Sequence, residues 1–334
     1  MEVNFTSWKI PPDGYRRRKT EFSSKCEDAA LGKEIGKGAR TLNKKKWKDF
    51  LLFALFVFPA VAFVLFATDI PFMMNLYYSV FDWNGIGKSM TFVGLGNFVK
   101  IFTNDTLFWK GVKFTLKFAV FYVIIVNVIS LVVALIMSKE RKSSSIGRAF
   151  YYIPYIISLT AISLIWKFIF GAGFEALYSI TGWEFFNWSW VGTPKLAFWV
   201  VVIMAVWQNV GFYMVNYIAG IIAVPKDLIE AGKIDGANSF QVFLKITVPM
   251  IMPAVSICML TALTFAFKLF DIIMVFTKGG PANSTVSVAY NIYKEAFVNN
   301  KYGLATAKSL VFVFFVLIVT AIQLKVTKSR EVEA

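Results

Sequence analysis

The chain has 334 residues, 57% of them hydrophobic and only 16% charged. Soluble domains carry about 25% charged residues, so the composition argues against a soluble enzyme or regulator and for a polytopic membrane protein. The formal charge is +15 but there is no histidine, which removes the commonest general base and metal ligand; the two cysteines, Cys26 and Cys258, have no metal-site spacing, and neither cofactor nor metal is implied.

Residues 1–46 are polar and basic with no sustained period, which predicts a disordered tail. Arg16, Arg17, Arg18, Lys19, Lys44, Lys45, Lys46 and Lys48 crowd ahead of the first apolar run, where the positive-inside rule places a cytoplasmic segment. The aromatic interleaving of a nucleic-acid binder is missing, so no nucleic-acid partner is expected. That first run begins too late and is too long for a cleavable signal peptide.

A transmembrane helix needs about 20 apolar residues, and six runs are candidates. The first is Phe50–Thr68, with a continuation to Phe81 after a break at Pro71. The second is Phe118–Met137. The third is Phe150–Phe170, with Pro154 near its start. The fourth is Leu196–Ala223, the fifth Met250–Phe276, and the sixth Ser309–Leu324, starting a few residues earlier. The expected fold is therefore all-α, a six-helix membrane domain over 47–327 followed by a short tail, 328–334. Lys139, Arg141, Lys142 and Arg148 follow the second run, and Lys325, Lys328 and Arg330 follow the sixth. An even number of spans puts these and the N-terminus on the cytoplasmic side. The segments 82–115, 171–195 and 277–305 then face outward, with Trp83, Trp109, Trp183, Trp188 and Trp190 suited to an interfacial belt.

Between the fourth and fifth runs lies a polar elbow, 224–248, patterned as a helix pair. Pro225 suits a first helical position. Asp227 and Glu230 fall early in the helix, where the macrodipole favours acids. Gly236 is placed to end it in a left-handed cap, and Asn238 or Ser239 to start a second helix near Phe240. Pro249 and Pro253 mark a bend into the fifth run. Ala231, Gly232 and Ala237 are small, so another protein could approach the backbone there.

The residues Glu230-Ala231-Gly232, Asp235-Gly236 and, after nine intervening residues, Ile246-Thr247-Val248-Pro249 resemble the "EAA" loop of binding-protein-dependent ABC import permeases. The departures are Gly232 and Val248, where the pattern prefers Ala and Leu. Phe92-Val93-Gly94-Leu95-Gly96-Asn97-Phe98 and Thr277-Lys278-Gly279-Gly280-Pro281 resemble the carbohydrate branch of that family. The resemblance covers roughly 48–327 and implies the type I ABC importer permease fold. It also implies a coupling role for Glu230, Ala231, Gly232, Asp235, Gly236, Ile246 and Pro249 in the cleft of an ATPase subunit. The implied partners are two copies of an ABC ATPase, a second permease subunit, an extracytoplasmic solute-binding protein and a carbohydrate substrate, all assembled in the lipid bilayer of a cell membrane.

On the fourth run Gln208, Asn209, Tyr213 and Asn216 are polar in an apolar background, flanked by Trp207 and Phe212. Flat rings to stack on and amides for hydroxyls are what a sugar needs, and the resemblance carries substrate contact to Gln208, Asn209 and Phe212. The same amides serve equally as glue between helices, and both readings stay open. Lys268 and Asp271, three residues apart on the fifth run, are expected on one helix face, as substrate contacts or as a self-neutralising pair. The family's contact positions on that run are Ala262 and Ala266 here. Catalysis is not expected: Gly87-Lys88-Ser89 lacks the upstream glycine of a phosphate-binding loop. A secondary transporter would need buried coupling carboxylates or an inverted repeat, and only Asp271 offers itself.

Overall fold

The computed structural model describes residues 47, 48, 50–139 and 142–328. The expected N-terminal tail 1–46, with Cys26, lies outside the described residues, as do Arg141, Arg330 and all but the first residue of the C-terminal tail. The chain divides into two units between Met73 and Met74.

The first unit is helical through the start of α1 (Phe50–Ser79), whose apolar window has no buried residue. No break occurs at Pro71. A π-turn over Leu65–Asp69 precedes it instead, and the helix continues through Ile70–Ser79. Proline has no N–H to give to the carbonyl four residues back and its ring crowds that position; one widened turn absorbs both effects without ending the helix.

In the second unit a short antiparallel pair, β1 (Phe81–Asp82) and β2 (Thr91–Phe92), sets Phe81 opposite Phe92. It leads into α2 (Gly96–Asn104) and α3 (Thr106–Met137). Asn97 is buried, and its amide donates to the carbonyls of Ser79 and Phe81, both at 2.9 Å. The α3 helix starts twelve residues before the expected second run, because the lysines of that stretch ride on the helix.

The third run is not one helix. It divides into α4 (Lys142–Ile156) and α5 (Leu159–Thr181), with Ile157 and Ser158 between them. Next comes α6 (Pro194–Ala223), within two residues of the expected fourth span and with proline in its first turn. α7 (Lys226–Ile234) and α8 (Ser239–Met250) form the elbow. α9 (Met252–Phe267) leaves α8 at a 69° bend. After α10 (Val288–Tyr293), α11 (Tyr302–Lys328) completes the set. Among the described residues five helices are long and apolar enough to cross a membrane, six if the bent α8–α9 pair counts as one.

α6 is the axis of the second unit: most of its side chains are buried, and α3, α4 and α9 pack around it. α3 runs parallel to it. Phe114 and Phe121 meet Phe198 near its start, Tyr217 donates to Asn127 Oδ1 at 2.6 Å, and Ser130 Oγ donates to the Val210 carbonyl at 3.1 Å. α9 runs antiparallel, with Ala254 beneath Gly220. α4 crosses at Gly211, where an added methyl group would overlap the Tyr151 carbonyl oxygen. Small residues at such crossings let helix backbones touch in an apolar medium. The elbow therefore lies at the same end of α6 as the α3–α4 connection, and the loops 81–105, 182–193 and 268–301 lie at the other. Arg148, expected as a surface charge, caps the end of α3: its Nε and Nη2 donate to the Met137 carbonyl at 3.0 and 2.7 Å.

Because the Gly211 clash is with backbone, nothing nearby can yield. Gly211→Leu is expected to lower stability by about 3 kcal/mol, read as a lower unfolding temperature of the purified protein in detergent; an unchanged midpoint would show that α4 does not cross here.

Candidate functional site: the helical elbow and the polar stretch of α6

The elbow is built from local rules. Val224 closes α6, and Pro225 sits one position before α7 rather than inside it. Asp227 lies in the first turn of α7 and Lys233 in the last, each favoured by the helix dipole. Gly236 has φ +81°. The Ala237 N–H reaches the Gly232 carbonyl at 3.0 Å and the Gly236 N–H reaches that of Lys233 at 3.1 Å, which together make a Schellman cap. Asn238 and Gln241 then exchange side-chain and backbone hydrogen bonds, both 2.9 Å, in a complete capping box. A π-turn over Phe243–Thr247 and the bend at Ile251 carry the chain into α9.

Gly232 does not face outward as expected. A Cβ there would stand 2.6 Å from Ile246 Cδ1, so α7 folds onto α8 through this glycine and the two ends of the sequence pattern touch. Ile246 and Pro249 are half-buried, whereas Glu230, Ala231, Asp235 and Gly236 are exposed. They share the elbow with Ile234, 86% exposed, and Phe240, 67% exposed. The result is an exposed surface with two carboxylates and two large apolar side chains.

The α6 residues do not form an open cluster. Gln208 is buried, its Nε2 makes a long 3.4 Å contact to the Ile157 carbonyl at the α4–α5 break, and its Oε1 has no partner. Asn209 turns back to the Ala205 carbonyl of its own helix at 2.8 Å. Phe212 stacks on Tyr155 with ring centres 4.8 Å apart, and Tyr213 is buried beside it. The expected pairing of Lys268 and Asp271 does not form: α9 ends at Phe267, Lys268 is its non-helical cap, and both residues are exposed beyond it. The common face required a continuous helix, and the backbone turns off α9 first. Sequence reading missed Tyr155 and also Tyr122 of α3, whose hydroxyl is buried without a partner; aromatic residues within apolar runs were the available signal. Among the described residues no group of three or more Cys, Asp or Glu side chains could hold a metal.

Comparison with known proteins decides the family. The family described as "Binding-protein-dependent transport system inner membrane component" matches residues 126–331. The chain belongs to this family. This chain is 37% identical to a probable starch degradation products transport system permease protein, AmyD, of Thermoanaerobacterium thermosulfurigenes, over 86% of this chain and 98% of that one. It is 32% identical to the multiple sugar-binding transport system permease protein MsmF of Streptococcus mutans, over 88% and 99%. In fold it matches a bacterial ABC transporter involved in the import of the acidic polysaccharide alginate, with TM-score 0.73 and 19% identity over 86% of this chain and 98% of that one. The protein is thus a multi-pass membrane transport protein with the all-α fold of an ABC importer permease.

Losing the elbow's cap should loosen its second helix. Asn238→Ala is expected to cost about 1 kcal/mol locally, seen as faster amide hydrogen exchange at residues 239–242 while α6 keeps its protection; equal exchange in both proteins would show that the box does not hold the helix.

Proposed function

We propose that the chain is one of two permease subunits of an ATP-driven importer for a carbohydrate, in which the 224–248 elbow seats in the ATPase and a solute-binding protein delivers the sugar at the opposite end. The observation that carries this reading is the exposed, doubly capped elbow. Packing within the chain explains Gly232 and Ile246 but leaves Glu230, Asp235, Ile234 and Phe240 uncovered. Relatives named for starch degradation products and for multiple sugars support an oligosaccharide. The orientation follows: elbow, residues 1–46 and 328–334 on the cytoplasmic side, loops 81–105, 182–193 and 268–301 outside. ATP-driven closure of two ATPase subunits moves the elbow as a rigid body and rocks the helices attached to it. Glu230 and Asp235 face basic groups on the ATPase. Gln208, Asn209, Phe212 and Tyr213 line the sugar's path when the bundle opens, with Lys268 and Asp271 at its outer mouth.

Two substitutions test the reading. At Gly236 an added side chain meets nothing within 4 Å, and the left-handed backbone costs a non-glycine residue about 1–2 kcal/mol. Gly236→Asp should therefore insert and join its sister permease normally, yet lose most sugar uptake and the stimulation of ATP hydrolysis by the loaded binding protein. Uptake at the wild-type rate would sink the assignment of this loop. Removing the amide, whose Oε1 has no partner, with Gln208→Leu should lower uptake about tenfold without changing the sugar affinity of the isolated binding protein, whereas unchanged uptake would leave Gln208 as helix glue alone.

A further inference from the structure

Lys308 is the one fully buried cation among the described residues, 0% exposed in the second turn of α11. Its Nζ lies 2.6 Å from Asp105 Oδ2, 2.5 Å from Glu295 Oε2 and 3.2 Å from Asn291 Oδ1. These partners come from three segments. Asp105 joins α2 to α3 and caps α3 through the Phe108 N–H at 2.8 Å. Asn291 lies on α10, and Glu295 in the π-turn that follows it. A desolvated ammonium held by two carboxylates is costly to assemble and costly to break, and an ion cluster at the end of a span calls for a functional explanation.

The cluster anchors a stretch of surface. Glu295 also accepts from Asn299 Nδ2 at 3.3 Å and from the Lys301 N–H, through its carbonyl, at 3.0 Å. The Gly303 N–H then reaches the Trp83 carbonyl at 3.0 Å, and the Tyr302 ring meets Trp83 with centres 5.3 Å apart. Through these links Lys308 fixes 294–303 against the β1–β2 segment, at the end of the bundle away from the elbow. The same two segments present Phe297, Val298, Ile86 and Phe92 uncovered.

We infer that Lys308 is a positioning residue: with Asp105 and Glu295 it holds segments 294–303 and 81–92 in the geometry that receives the solute-binding protein. This rests on the importer reading above, in which that protein docks at this end.

The test uses the complete importer, with ATP hydrolysis followed against the concentration of sugar-loaded binding protein. Lys308→Met leaves Asp105 without its cation and Glu295 with only the exposed Lys301, whose Nζ lies 3.9 Å from Oε1. It should raise the half-saturating concentration at least tenfold, keep the rate at saturation within about twofold, and speed amide exchange over 294–303. A D105N/E295Q/K308M variant removes all three charges, which buried ion clusters tolerate, and the amide oxygen that Asp105→Asn introduces can still cap α3. It should recover thermal stability while keeping the raised half-saturation, and it carries the test alone if the single variant does not assemble. Wild-type half-saturation in either assembled variant would overturn the inference, because a purely stabilising cluster predicts recovery in the second. If the wild-type importer shows no stimulation by any binding protein, the importer reading fails rather than this one.

Discussion

Inside hydrocarbon a backbone amide has no water to bond to, so each N–H and C=O must find a partner within the protein. The rest of this structure follows from that constraint. Long helices answer it for most of the chain, and α6 answers it most fully, because it is also the helix that the others cover. The places where helices fail show what compensates them. Pro71 is preceded by a π-turn rather than a gap. The interruption between α4 and α5 leaves the Ile157 carbonyl to an amide of α6. The open end of α3 has its Met137 carbonyl taken by the guanidinium of Arg148. In each case a polar side chain or a widened turn stands in for the missing solvent.

The elbow obeys the opposite regime. Water is available there, and apolar burial is slight. Its shape depends on hydrogen bonds that close locally: the left-handed glycine, the asparagine–glutamine box and the contact between Gly232 and Ile246. Such bonds are short-range and directional, so they hold an angle well while burying little area. That combination fixes the elbow's shape without embedding it in the bundle.

This division explains what could be read in advance. Much of the elbow was legible, because caps depend on single residues at fixed offsets: Gly236 was expected as the left-handed cap and Asn238 or Ser239 as the next helix's start, and Asn238 takes that place. The limits of α6 were legible to within two residues from the length of its apolar run. The end of α9 was not, since hydropathy stays high past Phe267 while the helix stops, and no glycine or proline marks the turn. The α4–α5 break was equally silent at Ile157-Ser158, where it depends on a partner supplied by α6. Lys308 was hidden because its carboxylates come from segments far away in sequence, and a lone lysine at the start of a span looks like an ordinary interfacial charge. The orientation of Gly232 was misjudged because smallness does not say which way a residue points.

The touch between Gly232 and Ile246 has one more consequence. A methyl group at 232 has to be met by retraction of the isoleucine tip, so the identities at these two positions are not independent. Homologues carrying alanine at the first are expected to compensate at or around the second, and covariation between the two columns should survive even where the intervening loop drifts. The hairpin is therefore best exchanged whole, as a cassette, since changing either position singly mismatches the joint that sets its angle.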